Sequence, residues 1–154
     1  MTELKKKLCG PDFVVDGNNL YVDQVLVWFN EFPVFFVCVD DNDGYYLAMM
    51  LGRDDESYGY TYYFVESSVN EIQQMMLKQI PIRDTFLNKN HFWRIVGGIT
   101  VAEDVVEKLP VEEMDQEYLP APEKYFETTS LDDKNYLKKL AKLLGKESEN
   151  KEEQ

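Results

Sequence analysis

The chain has little of the chemistry from which most catalytic and metal sites are made. It carries one histidine, His91, and two cysteines, Cys9 and Cys38. A nucleophilic triad would have to use His91 as its base, and neither thiol sits in a nucleophile elbow or at a helix start. His91 precedes Phe92 and Trp93 and reads as a half-buried residue opening a strand. Two cysteines are too few for a disulfide framework, and Cys38 lies inside the apolar run Phe35–Val39, where it suits a small buried hydrophobe. Glycine numbers only eight, and Gly97-Gly98 lacks both the spacing and the following Lys of a phosphate-cradling loop. No apolar run approaches the roughly 20 residues of a transmembrane helix. The N-terminal stretch turns polar at Lys5-Lys6-Lys7 before a signal-like core develops, which leads us to expect a cytoplasmic protein.

Basic residues are the other shortage. Sixteen Lys and Arg face 29 Asp and Glu, a formal net charge of -13. Nearly all of it falls in two stretches: Asp40–Glu66 holds seven acids and one Arg, net -6, and Val101–Asp133 holds eleven acids and two Lys, net -9. Such a surface repels phosphate backbones and attracts basic partners. Tyr58, Tyr60, Tyr62 and Phe64 share one face of a strand, but base stacking needs a positive groove, and the neighbours are Asp54, Asp55 and Glu56. These rings read as sheet packing first, and as interface anchors second.

What is present is the pattern of one α+β domain over residues 1–145, followed by a disordered polar tail at 146–154. Asp16-Gly17-Asn18-Asn19 is turn chemistry, with a strand over Leu20–Phe29 after it. Val34–Val39 and Tyr45–Leu51 are apolar on both parities and read as central strands joined by the turn Asp40–Gly44. Tyr58–Glu66 completes a mostly antiparallel meander of three or four strands packed against one or two helices. Ser68-Val69-Asn70-Glu71 fits a capping box, opening a helix whose stripe is Val69, Ile72, Met76 and Ile80, with Pro81 ending it. A turn of helix at Ile82–Asn88 and a strand around Phe92–Val101 follow. Ala102–Leu109 reads as a short helix, and the rest of the acidic 102–129 stretch, with Pro110, Pro120 and Pro122, as an extended segment laid on the surface. The last element, 130–145, is an amphipathic helix capped by Ser130, with Leu137, Leu140, Ala141 and Leu144 as its apolar face. That helix is expected either to fold back over the acidic region of its own chain or to pair with its copy in a homodimer.

Two segments carry a resemblance. Tyr62-Tyr63-Phe64-Val65-Glu66-Ser67 leading into a helix, then Ile80-Pro81-Ile82-Arg83-Asp84-Thr85-Phe86, resembles a motif of an uncharacterised bacterial family, a domain of unknown function. In that family an aromatic strand ends in Pro-Val-Ser, a short helix follows, and an Ile-x-Leu-Arg-Asp-Ala-Phe-like box closes it. Leu119-Pro120-Ala121-Pro122-Glu123-Lys124-Tyr125-Phe126 is similar to the family's Leu-Pro-x-Pro-Gly-x-Tyr-Leu segment. Val65-Glu66 stands where the family has Pro-Val, and Glu123 where it has Gly. The resemblance spans residues 34–127 and implies a small α+β domain and no activity. Read physically, Asp84 after Pro81 can cap a turn and Arg83 can bind carbonyls or a carboxylate, a junction between helix and sheet.

Asp40-Asp41-Asn42-Asp43-Gly44 invites a test for calcium. With Gly44 at the sixth position of an EF-hand loop, Val39 and Met50 occupy the first and twelfth, where carboxylates are required, so that reading fails. Asp132-Asp133-Lys134 has the letters of a carboxylate nuclease, but a helix start accounts for them. No catalytic residue, metal or cofactor is expected. The sequence instead favours a non-enzymatic module that presents acids and tyrosines to a basic protein, a nucleic-acid-binding enzyme being one such partner. Its expected contact residues are Asp40, Asp41, Asp43, Asp54, Asp55, Glu56, Tyr58, Tyr60, Glu112, Glu113, Asp115 and Glu117. In size and charge the chain is similar to the small acidic proteins of phage and mobile elements that inhibit restriction or CRISPR nucleases as DNA mimics, which would place it in a bacterial or phage-infected cell. The competing expectation is a domain whose acidity serves solubility and whose function resides in a small-molecule pocket.

Overall fold

A computed structural model describes residues 10–53, 60–97 and 104–152. Seven strands form one sheet in chain order: β1 Phe13–Val15, β2 Asn18–Phe29, β3 Phe32–Asp40, β4 Tyr45–Arg53, β5 Tyr60–Ser67, β6 His91–Val96 and β7 Val105–Pro110. Each pairs antiparallel with the next. Two of the connections are two-residue turns with both residues at positive φ, Asp16-Gly17 (49° and 79°) and Asn30-Glu31 (50° and 68°). That conformation matches the right-handed twist of the flanking strands. The third, Asp40–Gly44, is held by Asp40, whose Oδ1 accepts from the backbone N–H of Asn42 (2.8 Å) and of Gly44 (2.7 Å). A Cβ at Gly44 would lie 2.6 Å from Asp40 Oδ2, so only glycine leaves the carboxylate in place.

The sheet curls until it is nearly a barrel. Phe13 of β1 reaches across to Tyr62 and Phe64 of β5, at ring separations of 5.1 and 4.8 Å. Asp16, in the first turn, accepts a hydrogen bond from Trp93 Nε1 of β6 at 3.1 Å. Enclosed between them is an inner core of Val15, Leu20, Phe36, Cys38, Tyr46, Ala48, Phe64, Trp93 and Ile95. The alternate residues Phe35, Val37, Leu47, Met49, Tyr63, Val65 and Phe92 point outward into a second core. This is why β3 and β4 read as apolar on both parities: both of their faces are covered.

Three helices and a strap cover the outer face. Helix α1, Val69–Met76, buries Val69, Ile72, Met75 and Met76, and Ser68 Oγ accepts from Glu71 N–H at its start. The Glu71 carboxylate does not reach back to complete a capping box. It accepts from Ser67 Oγ (2.6 Å) and pairs with Lys89 (2.5 Å). The helix stops short of Pro81, because Lys78 turns into the left-handed region at φ 63°, and Ile80 falls outside it. Helix α2, Ile82–Leu87, adds Ile82 and Phe86. The strap runs from 111 to 130, with single 3₁₀ turns at Val111–Glu113 and Gln116–Tyr118, and sends Met114, Leu119 and Phe126 inward. Arg83 fastens it, donating to the carbonyls of Gln116 (3.3 Å) and Pro120 (3.1 Å) and to Gln116 Oε1 (2.6 Å). The Arg-Asp box is thus a junction, with Asp84 inside the first turn of α2 and Pro81 in the capping position.

Helix α3, Leu131–Glu152, is capped by Ser130 Oγ, which accepts from Asp133 N–H (3.1 Å). It folds back on its own chain at β2, not over the acidic stretches. Tyr136 donates to Asp23 Oδ2 (2.7 Å), Lys139 pairs with Asp23 Oδ1 (3.1 Å), and Gln24 donates to Asp132 and Asp133.

The α+β expectation holds in its coarse form, with the sheet dominating, and several elements differ from the sequence reading. Among the described residues there are seven strands, where a meander of three or four and a further strand around Phe92–Val101 were expected. The expected helix at 102–109 is contradicted: Val105–Pro110 is the edge strand β7. Val105-Val106 favours extended backbone, and Leu109 before Pro110 is disfavoured in a helix, which outweighs the acids that suggested one. The last helix continues past Gly145 to Glu152, through a segment read as tail. Its buried face is Asp133, Tyr136 and Leu140 with Leu137, Leu143 and Leu144, while Ala141 is exposed.

Candidate functional site

The expected contact acids that are described lie on two elements, the β3–β4 turn and the strap. Asp40 is 7% exposed and spends its carboxylate on the β3–β4 turn, while Asp41 and Asp43 beside it are exposed. Asp54, Asp55, Glu56 and Tyr58 lie outside the described residues. Tyr60 packs on Phe32 at a ring separation of 5.3 Å. Glu112, Glu113, Asp115 and Glu117 are exposed on the strap, where Asp115 Oδ1 also accepts from Glu117 N–H (3.1 Å). The acids at the β3–β4 turn belong to a sheet end, and those of the strap to the outer face. The tyrosine stripe is largely packing: Tyr62 meets Phe13 and Phe36 and has its hydroxyl pushed up to about 12, chiefly by burial, with Tyr60 and Asp104 adding to it.

Two concave surfaces were not foreseen. The first, a cavity of ≈ 540 Å³, lies where the strap leaves the outer faces of β5, β6 and β7 partly uncovered. Tyr63 and Arg94 are cross-strand partners, Arg94 stands opposite Glu107 on β7, and Thr61 lies two positions from Tyr63 on the same face. Glu113, Asp115 and Tyr118 border the cavity from the strap, with Leu51 and Leu109 as apolar wall. Tyr63 is 5% exposed, and its hydroxyl oxygen accepts from Asp115 N–H (3.1 Å), so that among the described residues no buried side-chain polar atom lacks a partner. Neither the Thr61 hydroxyl nor the Arg94 guanidinium donates to any described residue, and Arg94 forms no ion pair with Glu107 within 4.0 Å.

The second, ≈ 940 Å³, lies between β2 and the end of the strap, lined by Val25–Trp28, Ile82, Lys124–Glu127 and the start of α3. Beyond it the β2–β3 hairpin projects. Its tip is apolar and uncovered: Trp28 is 60% exposed, Phe29 66% and Phe32 45%. A signal for this tip was present in the sequence, since Trp28-Phe29 and Phe32 flank Asn30-Glu31, but only the two-residue turn pairs Phe29 with Phe32 across the hairpin. Arg94 could have been singled out as the lone charge within the strand Phe92–Val96.

Among the described residues no three His, Cys, Asp or Glu side chains converge to hold a metal ion. His91 is half-buried with its ring 5.0 Å from that of Trp93, in a T-shaped pair. Cys38 is a free thiol in the inner core, pushed well up by burial, with Asp12 and Asp23 adding to the effect. No described helix is long and apolar enough to cross a membrane. No family model, curated protein or solved structure matches this chain.

Proposed function

We propose that the protein is a non-enzymatic binding module that takes hold of a basic protein partner with the tip of its β2–β3 hairpin. The observation that carries this reading is the exposure of Trp28, Phe29 and Phe32 on the strands beside one two-residue turn. Scattered exposed apolar residues are ordinary, but adjoining large aromatics on a rigid hairpin are the side chains that anchor interfaces. The surroundings favour a cationic partner. Glu31 sits in the turn itself, and Glu127, Asp132 and Asp133 outnumber Lys124 along the neighbouring groove. Lys and Arg of a partner can stack on Trp28 while pairing with these acids. A protein that binds nucleic acid has such a surface, and occupying it would make this chain an inhibitor that stands in for the phosphate backbone.

The test compares the wild type with a Trp28→Ser/Phe29→Ser variant as bait for basic proteins at low and high salt. Capture that falls with salt and is lost in the variant is expected, together with displacement of nucleic acid from the captured protein. Equal capture by both baits would overturn the hairpin as anchor, and capture indifferent to salt would overturn the charge argument.

A further inference from the structure

We propose that the cavity between β5–β7 and the strap is a binding site for a small zwitterion, a free α-amino acid with an apolar side chain. Three polar side chains on adjacent register positions, Thr61, Tyr63 and Arg94, converge on the cavity, and the Thr61 hydroxyl and the exposed Arg94 guanidinium have no acceptor among the described residues. A carboxylate fits all three, because the planar guanidinium grips it through two parallel hydrogen bonds and the hydroxyls serve the remaining lone pairs.

Charge then selects the rest of the ligand. One Arg faces Glu107, Glu113 and Asp115, so the cavity is net negative, one cation against three carboxylates. A phosphate or other bare anion would be repelled. A bare cation would be drawn to the acids and leave the donors unanswered. A molecule with a carboxylate and an ammonium answers both: its carboxylate lies on Arg94, Thr61 and Tyr63, and its ammonium faces Glu113 and Asp115 on the strap. Leu51 and Leu109, both half-buried, supply an apolar wall for the side chain. A volume of ≈ 540 Å³ is within the range of small-ligand sites and accommodates an aromatic amino acid. The site is separate from the hairpin, so either can fail without the other.

Calorimetric titration of the full chain with L-phenylalanine, L-phenylalaninamide and N-acetyl-L-phenylalanine tests this. The amide lacks the carboxylate and the acetyl compound lacks the ammonium. L-phenylalanine is expected to bind, and each derivative to bind about tenfold more weakly or worse, equivalent to about 1.4 kcal/mol. Arg94→Gln, at an exposed position, is expected to keep the wild-type melting temperature and to weaken L-phenylalanine at least as much. Thr61→Val is expected to weaken it less, and Trp28→Ser not at all. Equal affinity in Arg94→Gln, equal affinity for the amide or the acetyl compound, or no binding of L-phenylalanine, leucine or tryptophan would each overturn the proposal.

Discussion

On the inner face of the sheet every side chain of the core comes from a strand, whereas the outer face is filled by strands, three helices and a strap drawn from distant parts of the chain. The inner core needs only that the sheet curl, and its rings then meet edge to face, Phe64 with Phe36 at 6.0 Å and Tyr46 with Trp93 at 6.0 Å. The outer core must be assembled, and its covering pieces are held by several polar contacts, where the inner face has Trp93 on Asp16: Arg83 on the strap, Thr128 Oγ1 on the Met76 carbonyl (2.7 Å), and Tyr136 on Asp23. Both proposed sites lie where this assembled cover stops. A face closed by its own curvature leaves no opening, while a face closed by added parts leaves gaps at their margins.

That contrast breaks most visibly under truncation of a core residue. Phe64→Ala, in the closed inner face, is expected to cost about 3–5 kcal/mol, since the surrounding strands cannot collapse into the cavity. Leu140→Ala on α3 is expected to cost about 2 kcal/mol, the low end for such a change, because a docked helix can shift toward the sheet. Urea unfolding of both variants measures the difference, and equal losses would show that the outer cover is as rigid as the barrel.

An effect of similar size is expected from the contact that docks α3. Tyr136→Phe removes the hydrogen bond to Asp23, about 1.5–3 kcal/mol for a bond to a charged acceptor. Its hydroxyl is raised far above the ordinary tyrosine value, first by burial and then by the Asp23 carboxylate. Because the folded value lies above the unfolded one, near 10, the neutral form is favoured by folding. The stability it contributes is whole below about pH 10 and is lost as pH rises beyond it. Tyr46 and Tyr62, both raised to about 12, act in the same direction. The wild type should therefore lose stability above pH 10 more steeply than Tyr136→Phe, by about one proton in the pH slope of urea unfolding. Smallest is Arg83→Met, expected to cost roughly 1 kcal/mol through loss of the strap's partly exposed hydrogen bonds. Hydrogen exchange in 116–120 should rise in that variant and leave β3 and β4 unchanged.

The same division explains what could be read from the residues alone. The double parity of Phe35–Val39 and Tyr45–Leu51 reports two covered faces, and Ser68 and Ser130 announce helix starts, because these signals are local. β7 was misread because its Glu107 and Lys108 suggest a helix face, while its place as an edge strand depends on pairing with β6. Ala141 was assigned to the apolar face of α3 because spacing gives a helix's stripe but not its rotation. That rotation is set by Tyr136 finding Asp23, 113 residues away in sequence. The acids were legible as charge and not as a site: one of them, Asp40, is consumed by its own turn. The cavity could not be seen at all, since Thr61, Tyr63 and Arg94 are brought together by cross-strand register and not by local sequence.

The strand order carries one more implication, for the ribosome. Each strand pairs with the one synthesised just before it, so hairpin after hairpin can form as the chain emerges, the longest wait being that of β5 for β6 while α1 and α2 are made. Helix α3 is the exception among the described elements, for it emerges after the whole sheet and returns to β2. During synthesis the outer apolar face is therefore open for as long as the last helix is unfinished, and that is the interval in which a nascent chain of this design is most exposed to aggregation.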